Sequence, residues 1–260
     1  MKVMVCLKQV PHQDARLDIR EDSTWIKEDS IKFEINSYDN YALEEALRIK
    51  DQSEAEVVVV SVGPDRVTQA LRTALGMGAD RAVHVNDPAA EGSDSLALAK
   101  ILAGVAKEEN PDLIFAGLMS EDGNFSAVPP MVAEFLGMPS ATAVLKIEQQ
   151  GEGLRVEREL EGGALEVVDL PRPCLVAVQS GASQVRYASL KGIMQAKKKP
   201  VDVKTASDLG LEGQVGPDAV KIKLEEIRVP TKGDTAEMIE GSTEEIASQL
   251  LGKIKELGVL

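Results

Sequence analysis

Residues 112–139, DLIFAGLMSEDGNFSAVPPMVAEFLGMP, place a strand, a loop and a helix in close succession. The run 113–116 is apolar throughout, which is typical of a short strand buried on both faces. Gly117 and the polar residues 120–124 follow as a loop, and residues 128–135 then carry apolar side chains at helical spacing. A loop of this kind offers free backbone N–H groups at a helix N-terminus, where a phosphate can bind. Such turns also recur in parallel sheets that bind nothing there.

Strands and helices alternate along the rest of the first 200 residues. The predicted strands are residues 2–7, 57–62, 82–85 and 174–178, and the predicted helices are 41–50, 70–75 and 95–108. This alternation predicts an α/β fold with a doubly wound parallel sheet. Residues 155–160 and 164–170 alternate in polarity around Glu161-Gly162-Gly163, which indicates a β-hairpin insertion. Residues 12–36 are expected to form a hairpin or a long excursion.

A ligand of such a sheet binds at the carboxyl ends of its strands, near the point where the strand order reverses. Three strand ends are therefore of interest: residues 6–8, 62–65 and 117–124.

The pattern weakens after residue 200, where prolines and glycines are spaced between polar residues. We expect an α/β domain in residues 1–200 and an extended C-terminal arm in residues 201–260. Ser242 and Glu245 form a capping-box pattern at the start of a final helix. Its apolar stripe consists of Ile246, Leu250, Ile254 and Leu257. The stripe predicts docking, either on this domain or on a partner.

Composition narrows the class of protein. The net charge of −14 argues against nucleic acid as the main partner, and no apolar run approaches the ~20 residues of a membrane span. Cys6 and Cys174 lie in apolar runs and are predicted to be buried free thiols in a reducing compartment. Met1 and Lys2 lead straight into the first strand, so we expect a cytoplasmic protein of bacterial type without a targeting sequence.

Side-chain catalysis has no candidate in the sequence. The two histidines, His12 and His84, are far apart and are expected in a loop and in the core. A Walker motif, a GxGxxG fingerprint and clustered metal ligands are all missing from the sequence. We therefore predict a protein that is not an enzyme and holds no metal.

Residues 186–200, RYASLKGIMQAKKKP, contain five basic residues and no acid within an acidic chain. We call them the basic segment. A charge run usually marks a solvated face. Here Leu190, Ile193 and Met194 lie among the charges, and apolar anchors ringed by bases are typical of a docking surface.

Three stretches, taken together, carry a family resemblance. They are GADRAVHV (78–85), VERELEGGALEVVDLPRPCLVAV (156–178) and the basic segment. In this order and spacing they closely resemble the beta subunit of electron transfer flavoproteins. The resemblance implies a sheet of the adenine nucleotide alpha hydrolase type, and pairing with an alpha subunit that carries most of the FAD site. It also implies a structural AMP in the crevice of the beta subunit itself.

The resemblance further implies roles for individual residues. The AMP-contacting positions are matched by Cys6 (through its backbone), Asn36, Val62, Asp122, Gly123, Asn124, Ser126, Ala127 and Val128. Tyr38 matches the aromatic residue that approaches the FAD ring from the beta side. Leu190 matches the apolar anchor for the dehydrogenase, with Ile193, Met194, Lys197, Lys198 and Lys199 completing the docking surface.

Two alternatives remain open. The family pocket commonly has polar side chains where this chain has Ser126-Ala127-Val128, followed by two prolines without N–H groups. A smaller, apolar wall leaves room for a second FAD, as in electron-bifurcating relatives. Residues 158–163 and 187–190 instead resemble the ordinary type, and AMP is favoured.

The leading hypothesis is thus a carrier of electrons from flavin dehydrogenases, such as acyl-CoA dehydrogenases, through FAD to a quinone oxidoreductase. A rival is a stand-alone nucleotide-binding regulator of the stress-protein type, which leaves the basic segment and the final helix without a role. A nucleotide-hydrolysing enzyme lacks any phosphate-activating motif.

Overall fold

The centre of the fold is a mostly parallel β-sheet whose inner strands are the apolar runs of the sequence. The computed structural model describes residues 1–29, 31–231, 233 and 236–258. Within them, the sheet strands are β1 (Lys2–Cys6), β4 (Glu56–Val62), β5 (Arg81–Val85), β6 (Leu113–Gly117), β7 (Ser140–Gln150), β8 (Gly153–Glu159), β9 (Leu165–Pro171), β10 (Cys174–Val178) and β11 (Val201–Lys204). Their spatial order is β11-β5-β4-β1-β6-β10-β7-β8-β9. The pairs from β11 to β7 are parallel, as predicted, and β8 and β9 are antiparallel additions.

Helices cover both faces of this sheet, which makes it doubly wound. The helices are α1 (Ser37–Gln52), α2 (Val67–Met77), α3 (Ser95–Glu109), α4 (Val128–Leu136), α5 (Leu190–Ala196) and α6 (Thr243–Glu256). Alternate residues of β4 separate into two apolar cores. Val57 and Val59 lie in the core that contains residues of α1 and α2, whereas Val58 and Val60 lie in the core that contains residues of α3 and α4. Because β4 is buried on both faces, its sequence contains an unbroken run of valines.

The predicted hairpin insertion is confirmed as β8 and β9, joined around Glu161–Gly163. β7 is an additional strand that was not predicted. It begins in the parallel part of the sheet and then pairs with β8. Only Ala141 and Val144 of β7 are buried, so its second half projects beyond the core and lacks a continuous apolar run.

The excursion between residues 12 and 36 is anchored by a two-stranded ribbon. Strands β2 (Gln9–Pro11) and β3 (Phe33–Ile35) pair antiparallel, and Ile19 forms an isolated bridge with Ile26. Cys6 and Cys174 are buried free thiols, and His84 is buried with its Nε2 atom 2.8 Å from the carbonyl oxygen of Gly63, as expected for core residues.

The first part of the predicted C-terminal arm belongs to the sheet. β11 pairs with β5, and Ala206 and Val215 lie buried in the core on the α3 and α4 side. Further along, α6 has no buried residue, and its capping box between Ser242 and Glu245 is present as predicted. Residues 232, 234, 235, 259 and 260 of the predicted arm lie outside the described residues. The division of the chain at residue 200 stays a prediction.

Candidate functional site

The strand order reverses between β1 and β6, and this reversal creates a crevice. β1 continues through α1 to β4 on one side, whereas β6 lies on its other side after the chain has returned through α3. The carboxyl ends of these two strands are Cys6 and Gly117. An α/β sheet binds its ligands in such a place.

The first turn of α1 joins the two sides of the crevice. The side chain of Asn36 donates to the carbonyl oxygen of Met119 (2.9 Å) and accepts from the backbone N–H of Glu121 (3.0 Å). The carboxylate of Asp39 accepts from the backbone N–H of Lys8 (2.7 Å) and from that of Gly117 (3.0 Å). Two short side chains thus fix the strand end of β1, the strand end of β6 and the following loop relative to one another.

Asp39 is buried, and its environment changes its acidity. Burial raises the pKa of its carboxyl group to about 7, although the hydrogen bonds from Lys8 and Gly117 oppose that rise. Burial, with the nearby charge of Asp39, also raises the pKa of the Cys6 thiol to about 12. Cys6 therefore remains a protonated thiol at neutral pH and supplies no thiolate nucleophile.

Gly117 lets the backbone of β6 approach α1 closely. A Cβ atom at this position would lie 2.6 Å from the Cβ of Tyr38, inside any real contact distance. Tyr38 itself is half-buried in the first turn of α1. Its side chain therefore starts beside the carboxyl end of β6, at the edge of the crevice.

The loop before α4 presents a row of free donors. Among the described residues, the backbone N–H groups of Phe125, Ser126, Ala127 and Val128 donate no hydrogen bond. Ser126 has a left-handed backbone (φ 51°) and Ala127 a right-handed one (φ −98°, ψ −31°). Successive left- and right-handed residues turn their N–H groups into a concave anion-binding nest. Pro129 and Pro130 follow in the helix and add no donor.

The acids of this loop already have partners. Asp122 accepts from the ammonium group of Lys8 at 2.6 Å, and the same ammonium group lies 3.2 Å from the hydroxyl of Ser120. Glu121 accepts from the hydroxyl of Ser37 at 2.5 Å. Lys8 thereby ties the segment after β1 to the loop, and it offsets one negative charge beside the nest.

An apolar wall completes the crevice. Cys6 belongs to the core on the α3 and α4 side, and Val62 and Val128 pack against that same core while half-buried. Val62 ends β4 and Val128 begins α4.

These features can accommodate a nucleotide. Free N–H groups suit a phosphate, and an apolar wall suits a base. The structure thus brings Cys6, Asn36, Tyr38, Val62 and the 122–128 loop to one edge of the sheet. A separate open cavity of about 280 Å³, between the β2–β3 ribbon, α2 and residues 185–188, includes none of the predicted nucleotide residues.

The middle of the basic segment, Leu190–Ala196, folds as the short helix α5. Ser189 caps it by accepting from the N–H of Gly192. Its apolar side chains point into solvent: Tyr187 is 95% exposed, Leu190 83% and Met194 72%, with Ile193 about half exposed. An exposed apolar cluster of this kind is typical of an interaction site.

The five bases of this segment divide into two groups. Lys191, Lys197 and Lys198 are exposed. Arg186 is bound to Glu44, and Lys199 donates to the carbonyl oxygens of Leu75 (2.9 Å) and Ala79 (2.5 Å). Burial of Lys199 lowers its pKa. Lys199 therefore binds the end of α2 and differs from its two neighbours.

Comparison with known proteins adds the family. A family model described as the electron transfer flavoprotein domain matches residues 23–209. The electron transfer flavoprotein subunit beta of Methylophilus methylotrophus is 41% identical over 261 residues, which cover 98% of each chain. The chain belongs to the electron transfer flavoprotein beta-subunit family. Its counterpart in Bos taurus is 34% identical over 99% of this chain and 98% of its own, and that of Bradyrhizobium diazoefficiens is 41% identical over 82% and 84%.

The beta-subunit family is named for electron transfer, in agreement with the prediction of a carrier component of a flavoprotein. Within the described part of the chain, none of the helices combines the length and the apolar character that a membrane span requires.

Sequence reasoning missed three residues of the beta-subunit crevice: Lys8, Asp39 and Glu121. Lys8 lies in a strand end that the sequence marked, and a basic residue there is a usable signal. Asp39 lies before the predicted start of this helix at residue 41, whereas α1 begins at Ser37 and has Asp39 in its first turn, where an acid is a recognised pattern. The contact from Asp39 to Gly117 spans 78 residues, and nothing in the local pattern indicates it.

Proposed function

We propose that this beta subunit pairs with an alpha subunit to form a heterodimeric electron carrier. The observation that carries the proposal is identity of 41% over 98% of the chain to a protein named electron transfer flavoprotein subunit beta. The alpha subunit holds most of the FAD. The heterodimer accepts electrons from flavin dehydrogenases, such as acyl-CoA dehydrogenases, and delivers them to a quinone oxidoreductase. Its location is cytoplasmic.

The crevice at the β1 and β6 strand ends holds AMP. The N–H groups of Ser126, Ala127 and Val128 bind the phosphate, with Asp122, Gly123 and Asn124 shaping the loop that presents them. Cys6 contacts the nucleotide through its backbone, and Val62 contributes to the apolar wall beside the base. Asn36 positions the loop through its bonds to Met119 and Glu121. AMP here is a structural ligand that stabilises the folded subunit by binding only to it.

Electron transfer needs no acid or base from this chain, since a bound flavin accepts and releases electrons itself. The beta subunit contributes by positioning the flavin and by excluding water from it. Tyr38 is the aromatic residue assigned to the FAD ring. It is held at the crevice edge by the helix start that Asn36 and Asp39 fix.

The basic segment is the surface for the dehydrogenase. Leu190, with Ile193 and Met194, fills an apolar pocket of the partner, and Lys197 and Lys198 provide steering charge at the rim. Lys199, also assigned to this surface, acts through its bonds to α2.

A second candidate is an electron-bifurcating beta subunit with a second FAD in place of AMP. The observation that favours it is the small, partly apolar wall of Ser126, Ala127 and Val128, followed by two prolines without donors. The row of free N–H groups serves either nucleotide, so the wall alone does not decide between them.

Co-expression with the alpha subunit tests the carrier function. We expect a yellow heterodimer whose flavin absorbance is bleached anaerobically by a purified acyl-CoA dehydrogenase and its acyl-CoA substrate. A colourless homodimer would instead support the stand-alone regulator and would overturn the proposal.

A further inference from the structure

A buried carboxylate holds the start of the basic segment. Glu44 lies in α1, and its side chain is only 5% exposed. It accepts from the backbone N–H of Arg186 (3.0 Å), from Nε (2.9 Å) and from Nη2 (2.8 Å) of the same residue. The Nη2 atom of Arg186 also donates to Asp51 at 2.8 Å. Since every hydrogen bond to this carboxylate among the described residues comes from Arg186, the pair forms one unit.

The other end of the basic segment is held by α2. The guanidinium group of Arg72 donates to the carbonyl oxygens of Ala196 (2.6 Å) and Lys199 (2.8 Å). Lys199 returns two hydrogen bonds, one to Leu75 in the last turn of α2 and one to Ala79 just beyond it. Between the two ends, Gly192 lies so close to the carbonyl of Gly76 that a Cβ atom would not fit.

These contacts are needed because α5 has little stability of its own. It spans seven residues, and an isolated helix shorter than ~12 residues is marginal in water. Its apolar side chains face solvent, so little burial offsets the entropy of ordering them. The polar contacts at both ends of the basic segment supply the stability that α5 lacks on its own. The hydrogen bond to Glu44 also raises the pKa of Arg186, so the guanidinium stays charged.

We propose that Glu44 and Arg186 form a clamp that holds the basic segment in the conformation its docking partner binds. Both are positioning residues, since Glu44 is buried and the guanidinium of Arg186 is engaged by Glu44 and Asp51. Ordering the segment before binding lowers the entropy cost of docking, and the gain appears as affinity. The docking role rests on the proposed function, whereas the clamping of the segment can be measured independently of it.

The structure offers a matched control one residue away. Glu45 lies in the same helix with its side chain 4% exposed, and it pairs with Arg48 of α1 and not with the basic segment. Glu44→Gln and Glu45→Gln are the same chemical change at nearly equal burial. Arg186→Lys keeps the cation but removes the two-pronged geometry, and serves as the conservative variant.

The test is hydrogen exchange of residues 187–199 in the intact heterodimer, together with the concentration of heterodimer that half-saturates a purified acyl-CoA dehydrogenase. For Glu44→Gln we expect exchange in the segment to rise at least tenfold and the half-saturating concentration to rise several-fold, with kcat unchanged. Arg186→Lys should give an intermediate result, and Glu45→Gln should move neither quantity.

Equal exchange in Glu44→Gln and Glu45→Gln overturns the clamp. If exchange rises only in Glu44→Gln while Leu190→Ala leaves half-saturation unchanged, the clamp holds the segment, but its docking role and that part of the proposed function are overturned.

Discussion

Leu190→Ala is the most informative change at the proposed docking surface. Leu190 is the first residue of α5 and is 83% exposed, so nearly all of its side chain is available to a partner. Fully burying a leucine side chain contributes about 1.5–3 kcal/mol. At about 1.4 kcal/mol per decade, its removal should weaken docking roughly tenfold to a hundredfold.

The same exposure limits the effect on folding. Alanine is a better helix former than leucine, and Ser189 still caps α5 in the variant. An exposed substitution away from special features usually changes the free energy of unfolding by less than about 0.5 kcal/mol. Flavin content and melting temperature of the heterodimer should therefore hardly change.

The assay is the reduction rate of the heterodimer flavin by a purified acyl-CoA dehydrogenase at increasing heterodimer concentration. Gln195→Ala, which shortens another exposed side chain of α5, is the matched control and should behave like wild type. A melting temperature lowered by many degrees with electron transfer intact would show that Leu190 supports the core. The docking interpretation would then be wrong.

Three further predictions concern other parts of the molecule. Neutralising Lys197 and Lys198 should slow association with the dehydrogenase and flatten its salt dependence in stopped-flow measurements. Lys199→Ala should instead lower the melting temperature, because the ammonium group of Lys199 binds the end of α2. Equal effects of all three lysines would contradict this division. Truncation after Gly241 removes α6, which buries no residue on this subunit. Heterodimer formation or FAD retention should then weaken in size-exclusion and absorbance measurements. Unchanged assembly would make the helix dispensable. The pKa of Asp39 in the folded protein is raised to about 7, so its contribution to stability is greatest below about pH 4 and is lost as pH rises through 7. The loss amounts to at most about 4 kcal/mol. The melting temperature of wild type should therefore fall relative to that of Asp39→Asn between pH 5 and pH 8, and parallel curves would refute the assignment.

The sequence was sufficient to predict the strands that are buried along their whole length. The valine run 57–60 and the apolar runs of β6 and β10 are buried along their length, so composition alone marks them as inner strands. β7 and β11 were missed because each exposes much of its length, and β11 has only four residues at the edge of the sheet. An edge strand held by one neighbour needs no apolar run.

The crevice was predictable in place but not in its bonding. Strand ends and the 122–128 loop follow from the order of elements, whereas the bonds from Asp39 to Lys8 and Gly117 join residues 31 and 78 positions apart. The same limit applies to the lysines of the basic segment. Lys197 and Lys199 are chemically identical, and only the packing of α2 beside α5 makes one exposed and the other half-buried.

The nucleotide content of the purified heterodimer tests the central claim most directly. Denaturation should release one FAD and one AMP per beta chain, quantified by chromatography against standards. Two FAD and no AMP would contradict the AMP assignment and support the bifurcating alternative. Release of no nucleotide at all would contradict both the crevice and the carrier function.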